Sequence, residues 1–291
     1  MKIKESKSYK VFKFFNIIVL SLVAIISLYP MIYVLLASLS DPTEFMKHQG
    51  LLLKPVEFSF ESYVQVSKHP FILSGYKSTL FVLIVGLAVN MLLTLPGAFA
   101  LASKDFKYRA LINKMVVFTM LFSGGMVPLF LTVKAYGLLD SYWALILPVA
   151  VNTFNLIIMR TAFASIPPSL AESATLDGAS ELVIMLKIAL PLCMPTIAVI
   201  ILYYGVQHWN AWFHAMLFIK TKTKYPLQLV LREVLVVEDT TSMTIGGDDT
   251  VGLAETVKYA VIIVSTLPIL TLYPFLQRYF VKGVMVGAVK G

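Results

Sequence analysis

Residues 14–39, FFNIIVLSLVAIISLYPMIYVLLASL, form a run of 26 residues without a charged side chain. A helix needs about 20 mostly apolar residues to cross a hydrocarbon core about 30 Å thick. The run is longer than the apolar region of a signal peptide, about 7–15 residues, and no small-x-small cleavage site follows it. It therefore predicts a retained transmembrane helix.

Five further blocks extend the same pattern along the chain. Hydrophobic residues make up 58% of the sequence and charged residues 14%, against about 45–50% and about 25% in soluble proteins. The sequence thus predicts an all-α polytopic membrane protein with six transmembrane helices. The predicted spans are Phe14–Leu39, Thr79–Ala102, Met115–Val133, Trp143–Met159, Pro195–Ile219 and Tyr259–Gln277.

The third and fourth blocks are interrupted by helix-breaking or polar residues, and we expect both to pack inside the bundle. Neighbouring helices can satisfy the backbone groups that such residues free. The interrupting residues are Gly124, Gly125 and Pro128 in the third block and Pro148, Asn152 and Asn155 in the fourth.

Basic residues set the predicted orientation in the cell membrane. Residues 1–13 contain five lysines, and the predicted inner segments together hold 14 Lys and Arg against 10 in the outer ones. Inner loops are enriched in these residues, so residues 1–13 should be a cytoplasmic segment, with the C-terminus on the same side and residues 14–291 forming the membrane domain. Outside, the stretch with Phe58, Phe60, Tyr63 and Val66 should lie at the membrane surface or cap the bundle, and 240–252 should be flexible.

Several function classes lack their usual residues. The basic residues lie between apolar blocks and form no nucleic-acid-binding face. No GxxxxGK[ST] phosphate loop occurs, the four histidines lack metal-ligand spacing, and no catalytic arrangement is present. The sequence predicts neither an enzyme nor a metal site. Ionisable residues are missing from the centres of the spans, which disfavours an ion-coupled transporter, although backbone carbonyls can also bind sodium.

Residues 165–191 form a predicted cytoplasmic loop of two short helices. Ser169 and Glu172 have the S-x-x-E form of a capping box. Gly178 can end the first helix in the left-handed conformation, Ser180 can cap the second, and Pro191 should end it. Apolar residues such as Leu182 need a cover, either the protein's own bundle or a groove in a partner.

The same loop resembles the EAA loop of binding-protein-dependent ABC importer permeases. Glu172-Ser-Ala-x-x-Asp177-Gly178-Ala179 followed by Ile188-x-Leu190-Pro191 matches the pattern, with Ser173 replacing the middle alanine. In that family the loop docks in a cleft of the ATPase subunit. The resemblance implies that Glu172, Asp177 and Gly178 shape the loop, although Asp177 could equally serve only the turn. The implied ATPase-coupling residues are Glu172, Ser173, Ala174, Leu176, Asp177, Gly178, Ala179, Leu182 and Pro191.

The resemblance covers essentially the whole chain and favours the carbohydrate branch of these permeases. Residues 60–63, 209–213 and 287–291 are similar to that branch, and 122–128 and 225–233 look like the oligosaccharide and aldouronate subgroup. The family implies a heterodimer with a second permease, two copies of an ATPase that binds ATP and Mg, and an extracellular solute-binding protein. This chain itself would carry no cofactor. A permease for another solute, such as amino acids or polyamines, is the alternative within the class.

Aromatic residues near the fifth block are candidates for lining a sugar path. Aromatic faces stack on sugar rings, and an Asn side chain both donates to and accepts from hydroxyls. An interfacial aromatic belt or plain helix packing would explain the same residues. The candidates are Tyr203, Tyr204, Trp209, Asn210, Trp212 and Phe213.

Overall fold

Regular secondary structure is entirely helical in the residues that the computed structural model describes, which are 7–245, 253 and 255–271. The all-α prediction is confirmed over these residues. In chain order the helices are α1 (Lys7–Ser38), α2 (Pro42–Lys47), α3 (Glu61–Lys68), α4 (Ile72–Ala102), α5 (Arg109–Leu121), α6 (Met126–Ala135), α7 (Trp143–Ile146), α8 (Thr153–Ala164), α9 (Pro168–Leu176), α10 (Glu181–Ile184), α11 (Leu190–Leu192), α12 (Met194–Trp209), α13 (Trp212–Phe218) and α14 (Leu227–Ile245), and residues 255–271 are also helical.

Two helices of the described part are long and apolar enough to cross a membrane unbroken. They are Ser8–Ser38 within α1 and Ile72–Ala102, which is α4, each of 31 residues. At about 1.5 Å per residue such a helix is roughly 46 Å long, more than the hydrocarbon core requires. The first and second predicted spans are therefore continuous helices.

Three other candidate spans are bent pairs of helices. α5 and α6 meet at 115°, Trp143–Val149 and α8 at 49°, and Glu181–Leu192 and α12 at 86°. Counting each pair as one span gives up to five candidates among the described residues. The predicted sixth span, Tyr259–Gln277, runs past Thr271, where the described residues end, so the number six stays a prediction.

The break between α5 and α6 follows from glycine. Gly125 has φ of +87°, in the left-handed region that L side chains rarely adopt. Interruption of the third predicted span at Gly124 and Gly125 is thus confirmed. The expectation that this span packs inside the bundle is wrong for the described chain, because α5 has no buried residue and α6 has only Val133.

The fifth predicted span, Pro195–Ile219, was expected to be one helix, and this is wrong. α12 ends at Trp209 and α13 begins at Trp212. The Asn210 side-chain amide donates to the Val206 carbonyl at 3.0 Å, and Ala211 has ψ of 63°. Because the asparagine side chain competes for the carbonyls of the last helical turn, the helix stops there.

The chain divides into two compact units. One contains α1 to α3 and residues 255–267, and the other runs from Pro70 to Arg232. In the first unit, Ala37, Phe45 and Leu52 form a small core. The predicted surface stretch forms α3 there. Val66 is buried, Phe58 and Phe60 are exposed, and the Tyr63 hydroxyl lies 2.8 Å from Ser38 Oγ.

The second unit has two apolar clusters along α4. One includes Ala98, Met159 and Ile200, and the other includes Val82 and Phe218. Asn90 and Thr94, fully buried, lie between these clusters in the α4 sequence. α4 packs mainly against α8 and α12, so a polar layer crosses the centre of this unit.

The segment predicted to be flexible, 240–252, is helical as far as Ile245, because α14 continues through it. The flexible-loop prediction is wrong for 240–245. Residues 246–252 lie outside the described part, as do residues 1–6 and the C-terminal segment 287–291.

Candidate functional site

The turn between α9 and α10 has the hydrogen bonds of a Schellman motif. Gly178 N–H donates to the Thr175 carbonyl at 3.0 Å, and Ala179 N–H donates to the Ala174 carbonyl at 2.9 Å. Gly178 has φ of +82°. The left-handed conformation predicted for Gly178 is confirmed, and it ends α9 with its last carbonyls satisfied.

The start of α9 differs from the prediction. The helix begins at Pro168 with Pro167 at the N-cap, so Ser169 lies within the first turn and the Ser169–Glu172 capping box is not formed. Proline suits this first turn because its missing N–H would have no intrahelical partner there. Ser180 does occupy the N-cap of α10, without a side-chain hydrogen bond.

Pro191 does not end the second helix of the loop. Helical residues continue from Glu181 to Leu192, and Met185–Ala189 form a π-helical turn. A proline removes one backbone hydrogen bond and crowds the carbonyl of the preceding turn, and a π-turn relieves that conflict. The chain bends instead at Cys193, before α12.

One side of this two-helix loop is anchored in the second unit and the other is exposed. Ile184, Met185 and Ala189 are buried, and Ala189 belongs to the cluster around Met159 and Ile200. Leu176 is 90% exposed and Leu182 is 61% exposed. The protein's own bundle therefore covers only part of the apolar surface.

A cleft of about 570 Å³ lies between the loop and the C-terminal end of α4, which is the end predicted to face the cytoplasm. It brings together Glu172 and Glu181 from the loop with Lys104 and Asp105 from the segment after α4. The remaining lining is largely apolar, including Phe99 and Phe163. Of the predicted coupling residues, Glu172 and Leu176 contact this cleft.

Two of the predicted sugar-path residues are interior. Tyr204 is 0% exposed, and Trp209 is 4% exposed. The Tyr204 hydroxyl accepts from Asn152 N–H at 2.9 Å and shares a 2.8 Å hydrogen bond with Thr94 Oγ1. Within the described subunit these two rings present no face to a sugar, whereas Tyr203, Asn210, Trp212 and Phe213 are exposed.

Sequence reasoning missed the polar layer to which Tyr204 belongs. Asn90 Nδ2 donates to the Val149 and Ala150 carbonyls at 2.9 and 2.8 Å, and Asn90 Oδ1 lies 2.7 Å from His208 Nε2. These carbonyls lie at the break before α8. Because unpaired backbone groups are costly in a membrane interior, the layer satisfies the broken fourth span. The sequence signal that could have revealed this layer was the presence of polar residues, such as Asn90, inside apolar blocks.

Asp140 was also missed. It accepts hydrogen bonds from Thr221 Oγ1 at 2.7 Å, from Thr221 N–H at 2.9 Å and from Lys220 N–H at 3.0 Å, and pairs with Lys224 Nζ at 3.2 Å. The Thr221 hydrogen bonds above all hold the pKa of Asp140 well below its usual range. The carboxylate therefore joins the loop before α7 to the segment after α13 at all physiological pH values.

Arg232 lies beside one of the exposed path candidates. Its Cζ is 4.9 Å from the centre of the Trp212 ring, and Nη1 is 3.1 Å from Met216 Sδ. A guanidinium over an indole face is a favourable cation–π pair. Arg232 lies in residues 225–233, which resemble the oligosaccharide and aldouronate subgroup, although no role was predicted for this residue itself.

No protein-family model matches the chain. Two curated proteins of Bacillus subtilis (strain 168) are each 43% identical to it. Protein LplC matches over 99% of this chain and 97% of its own length. The polygalacturonan/rhamnogalacturonan transport system permease protein YtcP matches over 92% and 94%.

A solved structure is also similar over almost the full length. The chain matches a crystal structure of a bacterial ABC transporter involved in the import of the acidic polysaccharide alginate, with a TM-score of 0.88 and 32% identity. The match covers 96% of this chain and 100% of the other. The resemblance drawn from the EAA-like loop and this agreement in sequence and fold lead to one conclusion: the chain belongs to the permease family of sugar ABC transporters and is a membrane transport subunit, not an enzyme.

Proposed function

We propose that this permease translocates an oligosaccharide that an extracellular solute-binding protein delivers. A separate ATPase drives the transport by binding the loop that contains α9 and α10. The observation that carries the proposal is the 90% exposure of Leu176 at the end of a helix closed by a Schellman motif. A rigid, exposed leucine favours docking in a partner's groove, because burying apolar surface yields roughly 25 cal/mol per Å².

The loop is suited to transmit movement. Its outer side carries Leu176 and Leu182, while Ile184, Met185 and Ala189 are buried in the second unit. A partner that displaces the exposed side therefore moves residues packed against the cluster containing α8 and α12. Coupling also requires the ATPase-closed state to bind one permease conformation better than the other.

The rest of the assembly follows the family pattern. We place the N-terminus, the C-terminus and the two-helix loop in the cytoplasm, with six spans in the cell membrane. A second, related permease completes the pathway, and two ATPase copies bind the ATP and Mg. Identity of 43% to a polygalacturonan/rhamnogalacturonan permease supports an oligosaccharide cargo. Tyr203, Asn210, Trp212 and Phe213 are the path candidates that the fold leaves exposed.

The test is Leu176→Asp in the complete importer. Leu176 has little contact with its own chain, so the substitution should leave folding unchanged while placing a charge in the docking groove. We expect the ATPase subunit to be lost on affinity purification, and transport to fall at least about tenfold for a lost contact of about 1.5–3 kcal/mol.

The matched control is Tyr136→Asp, at a residue that is 77% exposed in the segment after α6. It should retain both the ATPase and transport. Full ATPase retention and unchanged transport in Leu176→Asp would contradict the docking role. Uptake by the purified chain without any ATPase would contradict the ATP-driven mechanism itself.

A further inference from the structure

The guanidinium of Arg232 is held in place yet has few acceptors among the described residues. Arg232 stacks over Trp212 with Cζ 4.9 Å from the ring centre, and the one side-chain hydrogen bond that it donates within the described part goes to Met216 Sδ at 3.1 Å. Stacking on an aromatic plane limits the motion of the side chain. The donors of the guanidinium are therefore oriented before any ligand arrives.

Met216 satisfies little of what the guanidinium offers. A guanidinium has five N–H donors, and a thioether sulfur is a weak acceptor. Among the described residues, no carboxylate forms an ion pair with Arg232. Trp212 and Met216 are 38% and 42% exposed, so a ligand can approach this pair of side chains.

We propose that Arg232, stacked on Trp212, binds the carboxylate of an acidic sugar residue in the transported oligosaccharide. The proposal rests on the proposed function and names its substrate class, a uronate-containing oligosaccharide. A planar guanidinium matches a carboxylate through two parallel hydrogen bonds. Trp212 acts as a positioning residue, because it holds the guanidinium flat.

The surroundings favour an anionic ligand. Lys220 is exposed in the segment that joins α13 to α14. Exposed positive charge close in sequence to the site raises the local concentration of an anionic chain. Two relatives agree in chemistry, since one is named for polygalacturonan and the other imports the acidic polysaccharide alginate.

The experiment uses the complete importer with its binding protein in lipid vesicles. The probes are oligogalacturonate and alginate trisaccharides, each paired with the same trisaccharide after reduction of its carboxyl groups to alcohols. Uptake is compared between the unaltered protein, Arg232→Gln and Arg232→Lys. Because the binding protein is the same throughout, the ratio of variant to unaltered uptake for each sugar isolates the permease's contribution.

We expect Arg232→Gln to reduce uptake of the acidic probe at least about tenfold, as loss of a charge-assisted hydrogen bond implies. Uptake of the carboxyl-reduced probe should stay within about twofold. Uptake of the acidic probe by Arg232→Lys should lie in between, because lysine keeps the positive charge but lacks the planar set of N–H donors. Lys134→Gln, which removes an exposed charge at the end of α6, should leave both probes unchanged.

Equal losses for the acidic and reduced probes would show a structural role and overturn the proposal. So would unchanged acidic uptake in Arg232→Gln, or a defect that disappears in vesicles without anionic lipid, which would assign Arg232 to a phospholipid phosphate. Import of only neutral oligosaccharides by the unaltered protein would overturn the assignment of an acidic substrate but not the proposed function. Import of no oligosaccharide would overturn the proposed function as well.

Discussion

Gly86 has no room for a side chain. A Cβ at this position would lie 2.6 Å from His208 Nε2 and 2.7 Å from its Cε1. The imidazole cannot move aside easily, because His208 is 1% exposed and Nε2 lies 2.7 Å from Asn90 Oδ1. Gly86→Ala should therefore lower stability by about 1–3 kcal/mol, the usual range for an overpacked core.

The measurement is the melting temperature of the detergent-solubilised protein, followed by size-exclusion fluorescence. Gly97→Ala is the matched control, since its Cβ would lie 3.6 Å from Leu156 Cδ1, an ordinary contact distance. A melting temperature for Gly86→Ala equal to that of Gly97→Ala would contradict the close packing of α4 and α12 at His208.

At the scale of elements, the break before α8 depends on a side chain that is remote in sequence. Asn90 on α4 donates to the Val149 and Ala150 carbonyls. Asn90→Leu removes both hydrogen bonds and the His208 partner, so stability should fall by about 1–3 kcal/mol. Asn16→Leu replaces an exposed asparagine of α1 and should have no such cost.

Thermal unfolding of both variants, together with transport by the complete importer, checks this prediction. Because the broken span lies next to the polar layer, Asn90→Leu should also impair transport. A variant that is as stable as Asn16→Leu would mean that the two carbonyls find other partners.

The turns and breaks between helices show what could and could not be predicted from the sequence. Gly178 and the glycines before α6 were identified because their conformations are local properties of glycine. The interruption of the fourth span was also predicted, from Pro148, Asn152 and Asn155, and the bend of 49° before α8 confirms it. The break at 210–211 was not predicted, because it depends on the hydrogen bond of the Asn210 side chain. Apolar run length contains no information about such contacts, so the fifth span was wrongly predicted to be continuous.

At the scale of the whole molecule, the sugar-path candidates, which were grouped by residue type, differ in whether they are buried or exposed. Tyr203 and Tyr204 are neighbours in sequence, yet one is exposed and the other fully buried. Helical periodicity could assign them to different faces but could not say which face is interior, because both are aromatic. The loop residues were easier to identify, because residues 172–191 resemble the EAA pattern and place apolar side chains in a predicted cytoplasmic loop.

The predicted orientation of the chain in the membrane can be tested by labelling exposed residues from one side. The predicted inner side carries Leu176 and the predicted outer side carries Tyr136, and both are highly exposed. The single cysteine, Cys193, is buried, so Cys193→Ala gives a background in which one new thiol reports its own location. In that background, a membrane-impermeant maleimide should label Tyr136→Cys in intact cells. Leu176→Cys should react only after permeabilisation and should be protected when the ATPase is co-expressed, because docking buries it. Labelling of Leu176→Cys from outside would place the two-helix loop on the wrong side for any cytoplasmic ATPase, whatever its packing.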